Sequence, residues 1–422
     1  MRFSSHPTRR HILALAAGSA ALPVPARAAA PSGDTVEVVH WWVDGGEGAA
    51  IRVIRHRVED GGRTWVDTAV AGPDLAKAAA LTRVIGGQPP TAMLWHAGRD
   101  LAELRRERII RDVQAVAEAD GWDAVLPPEV AAWLKVDGKY VAVPADLHCG
   151  NWTFANTGLL DRAGLDVPRT WPEVLTACAR LQQSGVIPVA FGGQAWQEGS
   201  VFVQVLAGVG GRDLLRRFTA EHDLRAADRP ALAETFRTFA ALRPFVDKGS
   251  PNRSSTDTAS LLATGRAALY FSGDWSRGDL NKAGMRPGID YACGPAPGND
   301  GIFLAVVDAF CMTETDDAPR RAAQDAFARL VMSRDVQHDF NLLKGAVPPR
   351  EDVGLDGYDT FAEASARLIR GGGAVIPAAG VGMTTAMRTA FYDVVHRFWN
   401  TDGADPGSAA DDLRAAVART RE

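Results

Sequence analysis

Residues 138–156 read GKYVAVPADLHCGNWTFAN, and the way this stretch folds decides how the rest of the chain is divided. Two β-prone runs, 140–143 and 152–155, flank a short polar knot holding Asp146, His148 and Asn151. Apolar runs interrupted by Pro and Gly read as strands that stop and restart. A carboxylate, an imidazole and an amide between two such strands serve a ligand or a passage between lobes. The stretch reads as both, a hinge crossing that lines a cleft. An ordinary loop with self-satisfied polar groups is the plainer alternative.

Upstream, residues 36–42 (VEVVHWW) form a β-branched strand that runs into Gly45-Gly46, and a helical pattern follows from Glu47 to about Val58. Strands are expected at 64–70 and 91–95, with a helix over 73–85 that stops at Gly86-Gly87-Gln88-Pro89-Pro90. Such alternation predicts an α/β sheet with parallel strands, whose ligands sit beyond the carboxyl ends of the strands. Trp41, Trp42, Glu47, Trp95 and His96 lie there. Downstream, Thr170-Trp171-Pro172-Glu173 opens a helix, with Thr as N-cap and Pro in the first turn. Further strands are expected at 186–191, 267–271, 291–293 and 303–307. Helices are expected over most of 194–263, at 318–332 and at 384–399. Residues 340–349 read as turn-rich, and Gly371-Gly372-Gly373 as a flexible break.

A chain of 422 residues exceeds one simple core, so two lobes are expected. With 46 basic and 51 acidic side chains, its net charge of −5 argues against nucleic acid or anionic lipid as the main partner. Arg9 and Arg10 precede an apolar run and then Ala26-Arg27-Ala28, the order of a secretory signal over residues 1–30. Thr8 to Leu13 also matches a twin-arginine signal. No later stretch is long and apolar enough for a membrane helix, so a soluble periplasmic protein is expected. Cys149, Cys178, Cys293 and Cys311 lack the C-x-x-C spacing of a zinc ribbon or redox motif. Export permits disulfides, and spacing leaves open whether Cys293 pairs with Cys311.

Three patterns occur together. The Gly86–Pro90 turn precedes a short strand. Asn156, Leu160, Gly164-Leu165 and Pro168-Arg169-Thr170-Trp171 follow the crossing. Gly265-Arg266-Ala267-Ala268 leads into Gly273-Asp274-Trp275. In that order and spacing the chain resembles the family 1 extracellular solute-binding proteins of ABC sugar importers, over essentially the whole mature chain. It is similar to the glucose- or mannose-binding branch at His40-Trp41-Trp42, Gly46-Glu47, Trp95-His96-Ala97-Gly98, His148, Asn151, Val307-Asp308-Ala309-Phe310 and Asn341-Leu342-Leu343-Lys344. It departs from the pattern at Thr91, where the family has Asp, and near Pro377, where branch members carry His.

The resemblance implies an α/β fold of the two-lobed, type II periplasmic binding protein kind. Its lobes would be discontinuous, 31–145 with 303–340 and 146–302 with 341–422, joined by a hinge with several crossings. It implies a monomer that binds a neutral monosaccharide, glucose or a close epimer, and delivers it to an ABC permease. No catalysis, metal, cofactor or nucleic acid is implied. The ligand-binding residues would be Trp41, Trp42, Glu47, His96, His148, Trp196, Asp274, Trp275, Asp308 and Lys344.

These residue types suit a pyranose. Each sugar hydroxyl both gives and takes hydrogen bonds. Glu47, Asp274 and Asp308 can accept from hydroxyls, and Lys344, His96 and His148 can donate, with charge strengthening the bond. Indole faces cover C–H patches, and the chain holds 11 Trp against 5 Tyr. Trp41 and Trp42 are consecutive, so they face opposite ways, and Trp42 is expected to face the cleft. Plainer roles exist for each: Glu47 as an acid at a helix N-terminus, Asp274 and Asp308 as caps, the histidines as structural and Lys344 as a surface cation. Two rival readings are a secreted glycoside hydrolase using two of Glu47, Asp146, Asp274 and Asp308, and a metal protein using His40, His96 and His148. The sequence has no G-x-S-x-G, phosphate loop or H-E-x-x-H.

Overall fold

The computed structural model describes residues 34–371 and 374–421. The expected signal segment, residues 1–30, and two of the three consecutive glycines lie outside the described residues. Val36, Val38 and Val39 make Thr35–His40 the inner strand that their β-branching predicts. It pairs in parallel with Thr64–Ala69 on one side and Ala92–His96 on the other. Asp308–Met312 then adds antiparallel to Ala92–His96, and Val143–Pro144 closes the edge of this five-stranded sheet. A second sheet has the order Tyr291–Pro295, Trp152–Asn156, Ala267–Ser272 and Ile187–Ala190. A third, smaller sheet joins Ala374–Pro377, Ile302–Val306 and His148–Cys149.

The quoted stretch is therefore a crossing. The chain leaves the first sheet at Pro144 and enters the third at His148. A second crossing lies beside it, where Ile302–Val306 of the third sheet gives way at Val307 to Asp308–Met312 of the first. The two are tied by the Ala145 N–H to the Asp308 carbonyl (2.8 Å) and the Asp308 N–H to Asp146 Oδ1 (3.1 Å). The strand expected at 303–307 is thus Ile302–Val306 of the third sheet, and a separate strand of the first sheet follows it after Val307.

Buried apolar side chains form two clusters, one around Trp42, Phe310 and Phe327, the other around Phe202, Phe236, Phe239, Phe391 and Phe398. Full burial of such a side chain contributes about 1.5–3 kcal/mol. The second cluster is gripped by the helices Ala195–Arg216, Arg229–Ala240, Thr385–Trp399 and Pro406–Thr420. The helix Trp171–Gln183 is capped as its sequence predicts, with Thr170 Oγ1 accepting from the Glu173 N–H at 3.3 Å.

The sequence reading needs two corrections. Residues 340–349 are not all turn: Arg334–Lys344 is an α-helix that packs on the helix Gly45–Asp60 and ends at Gly345 with φ +80°. Two expected lobe boundaries also fall inside elements, 302/303 within the strand Ile302–Val306 and 340/341 within that helix. All four cysteines are buried free thiols, so Cys293 and Cys311 are unpaired. Among the described residues no helix is long and apolar enough to cross a membrane.

Candidate functional site

A cavity of about 300 Å³ opens between the two halves. Of the ten expected side chains, all but Trp42 and Asp274 line it. Strand register brings the first pair together: Asp308 lies opposite His96 in the antiparallel ladder, and their Oδ1 and Nε2 are 3.4 Å apart. The strand exit at His40 supplies Trp41, whose ring meets His96 edge-on at 5.2 Å. Trp42 points the other way, contrary to expectation. It is buried between Phe310 and Phe340 and lies beneath the Lys344 ammonium, 5.0 Å away. The helix Gly45–Asp60 starts next and carries Glu47 in its first turn.

Lys344 is the centre of the charged floor and is 1% exposed. Its Nζ donates to Glu47 Oε1 at 2.6 Å and to His148 Nε2 at 2.9 Å. Asp308 Oδ2 and Asp146 Oδ2 stand at 3.6 and 3.7 Å. Burial opposes the Lys344 charge, but Glu47, Asp146 and Asp308 outweigh it and hold the lysine above its usual range. Burial, then the neighbouring Asp308, pushes Asp146 up to about 7.

His148 bridges two groups. An ammonium group can only donate, so His148 Nε2 accepts from Lys344, while Nδ1 holds the hydrogen that faces Asp274 Oδ1. Both nitrogens are thereby engaged, and the expected role of His148 as a donor to ligand does not fit. Asp274 is wholly buried behind it, with its other oxygen accepting the Cys149 N–H at 3.0 Å. It supports the site from the rear and does not face the cavity.

Trp275 stands edge-on to His148 at 5.4 Å and near Trp196 at 6.4 Å. Its ring folds back over Gly273, where a Cβ would lie 2.0 Å from the indole. Only glycine leaves that space, which explains the Gly-Asp-Trp order.

The metal reading is not assembled. His40 is held by Asp67 at 2.6 Å and by the Trp42 N–H, away from His96 and His148. Among the described residues the one group with metal-ligand spacing is Asp146, His148 and Asp308. The Lys344 ammonium already lies against all three, and a second cation there would meet its charge directly.

Sequence reasoning missed the groups that join the two halves. On one side of the mouth, Thr256 Oγ1 donates to Asp44 Oδ1 (3.1 Å), the Gly46 N–H to Asp279 Oδ1 (3.1 Å) and Lys282 Nζ to the Gly45 carbonyl (3.2 Å). On the other, Arg388 and the Thr385 N–H bind the carboxylate of Asp100 at 3.1 and 2.7 Å. These residues sit in ordinary helical patterns with no local mark of a seam.

Asp279 allows a pH test. Burial, then Glu47, pushes its carboxyl up to about 6. A raised acid favours the folded state when protonated. Relative to Asp279→Asn, the native chain should therefore hold extra stability below about pH 4 and lose it as pH rises through about 6, a change of about 3 kcal/mol. Urea unfolding of both proteins across that range, with bound ligand holding the halves together, measures it, and parallel pH profiles would count against a closed seam at this carboxyl.

Two α/β halves linked by paired crossings, with a polar and aromatic cleft between them, define a periplasmic-type solute receptor of the type II fold. Its residues 59–309 match the model for the bacterial extracellular solute-binding protein family, and the chain belongs to that family. It is 33% identical over 402 residues to a probable sugar-binding periplasmic protein of Rhizobium meliloti (strain 1021), covering 93% of this chain and 95% of that one. Two solved structures share the fold. A chitin oligosaccharide binding protein superposes with a TM-score of 0.77 at 15% identity, covering 92% and 98% of the two chains. The bacterial solute receptor AcbH, described as exclusively preferring b-D-galactopyranose, gives 0.75 at 16% identity, covering 91% and 98%. The family and the Rhizobium relative are binding proteins by description, and this chain is likewise a solute-binding protein and not an enzyme.

Proposed function

We propose that this protein captures a neutral monosaccharide, glucose or a close epimer, outside the cytoplasm and delivers it to an ABC permease. The observation that carries the reading is the wall of the cavity, where indole faces alternate with acids and cations drawn from both halves. Asp308 Oδ1 is buried there without a hydrogen-bond partner among the described residues, an acceptor suited to a hydroxyl. Trp41, Trp196 and Trp275 offer flat apolar area to the C–H face of a sugar ring. The naming of the Rhizobium relative as sugar-binding supports the ligand class.

In this reading residues 1–30 direct export and are removed, and the mature chain acts as a monomer. Its lobes would meet at crossings at 145–147, at Val307 and after Lys344, with the boundaries at 302/303 and 340/341 moved to the ends of the elements that contain them. Sugar binds both lobes when they close, and it stabilises the closed form only through contacts that the open form lacks. The permease reads the closed surface.

A calorimetric titration against a panel of hexoses, pentoses, disaccharides and sugar acids tests the proposal. Asp308→Ala and His148→Ala should each weaken binding by about 1–3 kcal/mol. The first removes an acceptor. The second frees Lys344 from its imidazole partner and leaves Asp274 buried alone. Unchanged affinity in both variants would exclude this site.

A further inference from the structure

The two ring nitrogens of His96, which lines the cavity, have different neighbours. Its Nδ1 lies 3.2 Å from Nζ of Lys77, a residue of the helix Pro73–Ile85 that is 5% exposed. Its Nε2 lies 3.4 Å from Asp308 Oδ1. Among the described residues no carboxylate forms an ion pair with Lys77. The ammonium is held instead by His96 and by the faces of Trp95 and Trp41, at 4.8 and 5.7 Å. Asp100, Asp74 and Asp308 favour its charge only from beyond ion-pair distance. A buried cation with no carboxylate in contact is costly, so its placement against one imidazole nitrogen calls for a role.

An ammonium group has hydrogens to give and no lone pair. His96 Nδ1 must therefore accept, which leaves the ring hydrogen on Nε2, facing Asp308 and the cavity. We propose that Lys77 is a positioning residue that fixes His96 as an Nε2–H donor, so that the His96–Asp308 pair recognises a hydroxyl by giving it one hydrogen bond and taking one. This inference rests on the reading of the cleft as a sugar site.

Protonation agrees with it. Burial, then the charges of Lys77, Arg388 and Lys344, hold His96 well below the usual histidine range, so the ring is neutral and has a single hydrogen to place. Burial, followed by Arg388, lowers Lys77 to about 8, so the ammonium persists at neutral pH. In the opposite tautomer Nε2 would be an acceptor beside an acceptor. A hydroxyl could then satisfy one of the two and would turn a lone pair on the other. With the hydrogen on Nε2, a hydroxyl matches both neighbours, whereas a deoxy carbon matches neither and a fluorine cannot donate to Asp308.

The test uses the mature protein with nitrogen-labelled histidine, its His96 signals assigned by comparison with His96→Asn. Near neutral pH and without sugar, nitrogen NMR should show His96 with Nε2 protonated. Lys77→Met should give a mixed or reversed tautomer, and Lys77→Arg, which keeps a donor, should restore the native one. By calorimetry, Lys77→Met should bind glucose roughly tenfold more weakly. It should also discriminate less against the one deoxyglucose whose missing hydroxyl the pair reads. A native spectrum with Nδ1 protonated, or one that Lys77→Met leaves unchanged, overturns the inference. Should Lys77→Met fail to fold, the native spectrum decides alone. If no sugar of the panel binds the native protein, the reading of the cleft fails, and with it the hydroxyl-recognition half of this inference, while the spectra still judge what Lys77 does to His96.

Discussion

Lys344→Met is expected to abolish measurable sugar binding and to remove several kcal/mol of stability. The lysine is almost fully buried and touches Glu47, His148, Asp146 and Asp308 within 4 Å. Methionine fills nearly the same volume but leaves those acids facing one another with no counter-charge. Deleting one partner of a buried ionic group costs about 3–5 kcal/mol, because the remaining charges lose their compensation in a poorly solvated place. The sign with pH follows. Uncompensated carboxyls have raised pKa values, so the deficit should be largest above neutral pH and shrink on acidification, as protonation removes the charge. Adding Asp308→Asn to Lys344→Met should return part of the stability but none of the binding. Urea unfolding on either side of neutrality, paired with calorimetry, measures both effects. A deficit below about 1 kcal/mol would place Lys344 among ordinary surface ion pairs and undo the account of the cleft floor.

Gly46→Val should separate folding from closure. Gly46 lies in the first turn of the helix Gly45–Asp60, and a Cβ there would stand 2.6 Å from Gly278 Cα in the facing half. Glycine is required because two backbones touch. With the halves apart the contact with Gly278 is gone, and a valine would cost the small helix penalty of a β-branched residue, roughly 0.5 kcal/mol. With the halves together it overpacks the seam by about 1–3 kcal/mol, so affinity should fall roughly ten- to hundredfold. The melting temperature without sugar should barely move, and solution scattering with saturating sugar should show a larger radius of gyration than the native complex. Native affinity in Gly46→Val would mean that the two helices do not approach on binding.

Much of the fold was legible, and the reasons for the gaps are physical. The β-branched run from Val36 and the Pro73 and Pro172 helix starts are local signals, and each element formed where its residues predict. The strands Val143–Pro144, His148–Cys149 and Ala374–Pro377 are too short to carry a period. The helix Arg334–Lys344 was hidden by the Gly and Pro residues that follow it, although Val336, Gln337, Phe340, Asn341 and Lys344 keep a helical spacing on its buried face. Most of the cleft residues were identifiable because they stand at strand exits. Alternation shows that Trp41 and Trp42 diverge but not which one faces the cleft, since that depends on where the core lies. Asp274 looked like a ligand because sequence cannot tell a side chain facing a cavity from one directly behind it. Lys77 left no trace, because a lysine within a helical run reads as solvated surface.

The bond between Glu47 and Lys344 joins positions 297 apart in the chain. A nascent polypeptide still on the ribosome cannot make it until nearly all of the protein has emerged, and any fragment ending before Lys344 lacks the floor of its own pocket. Ligand capture is thus a late event in folding. Excess sugar should pull maturing molecules toward completion by mass action, and a simple titration would count finished copies in a mixed preparation.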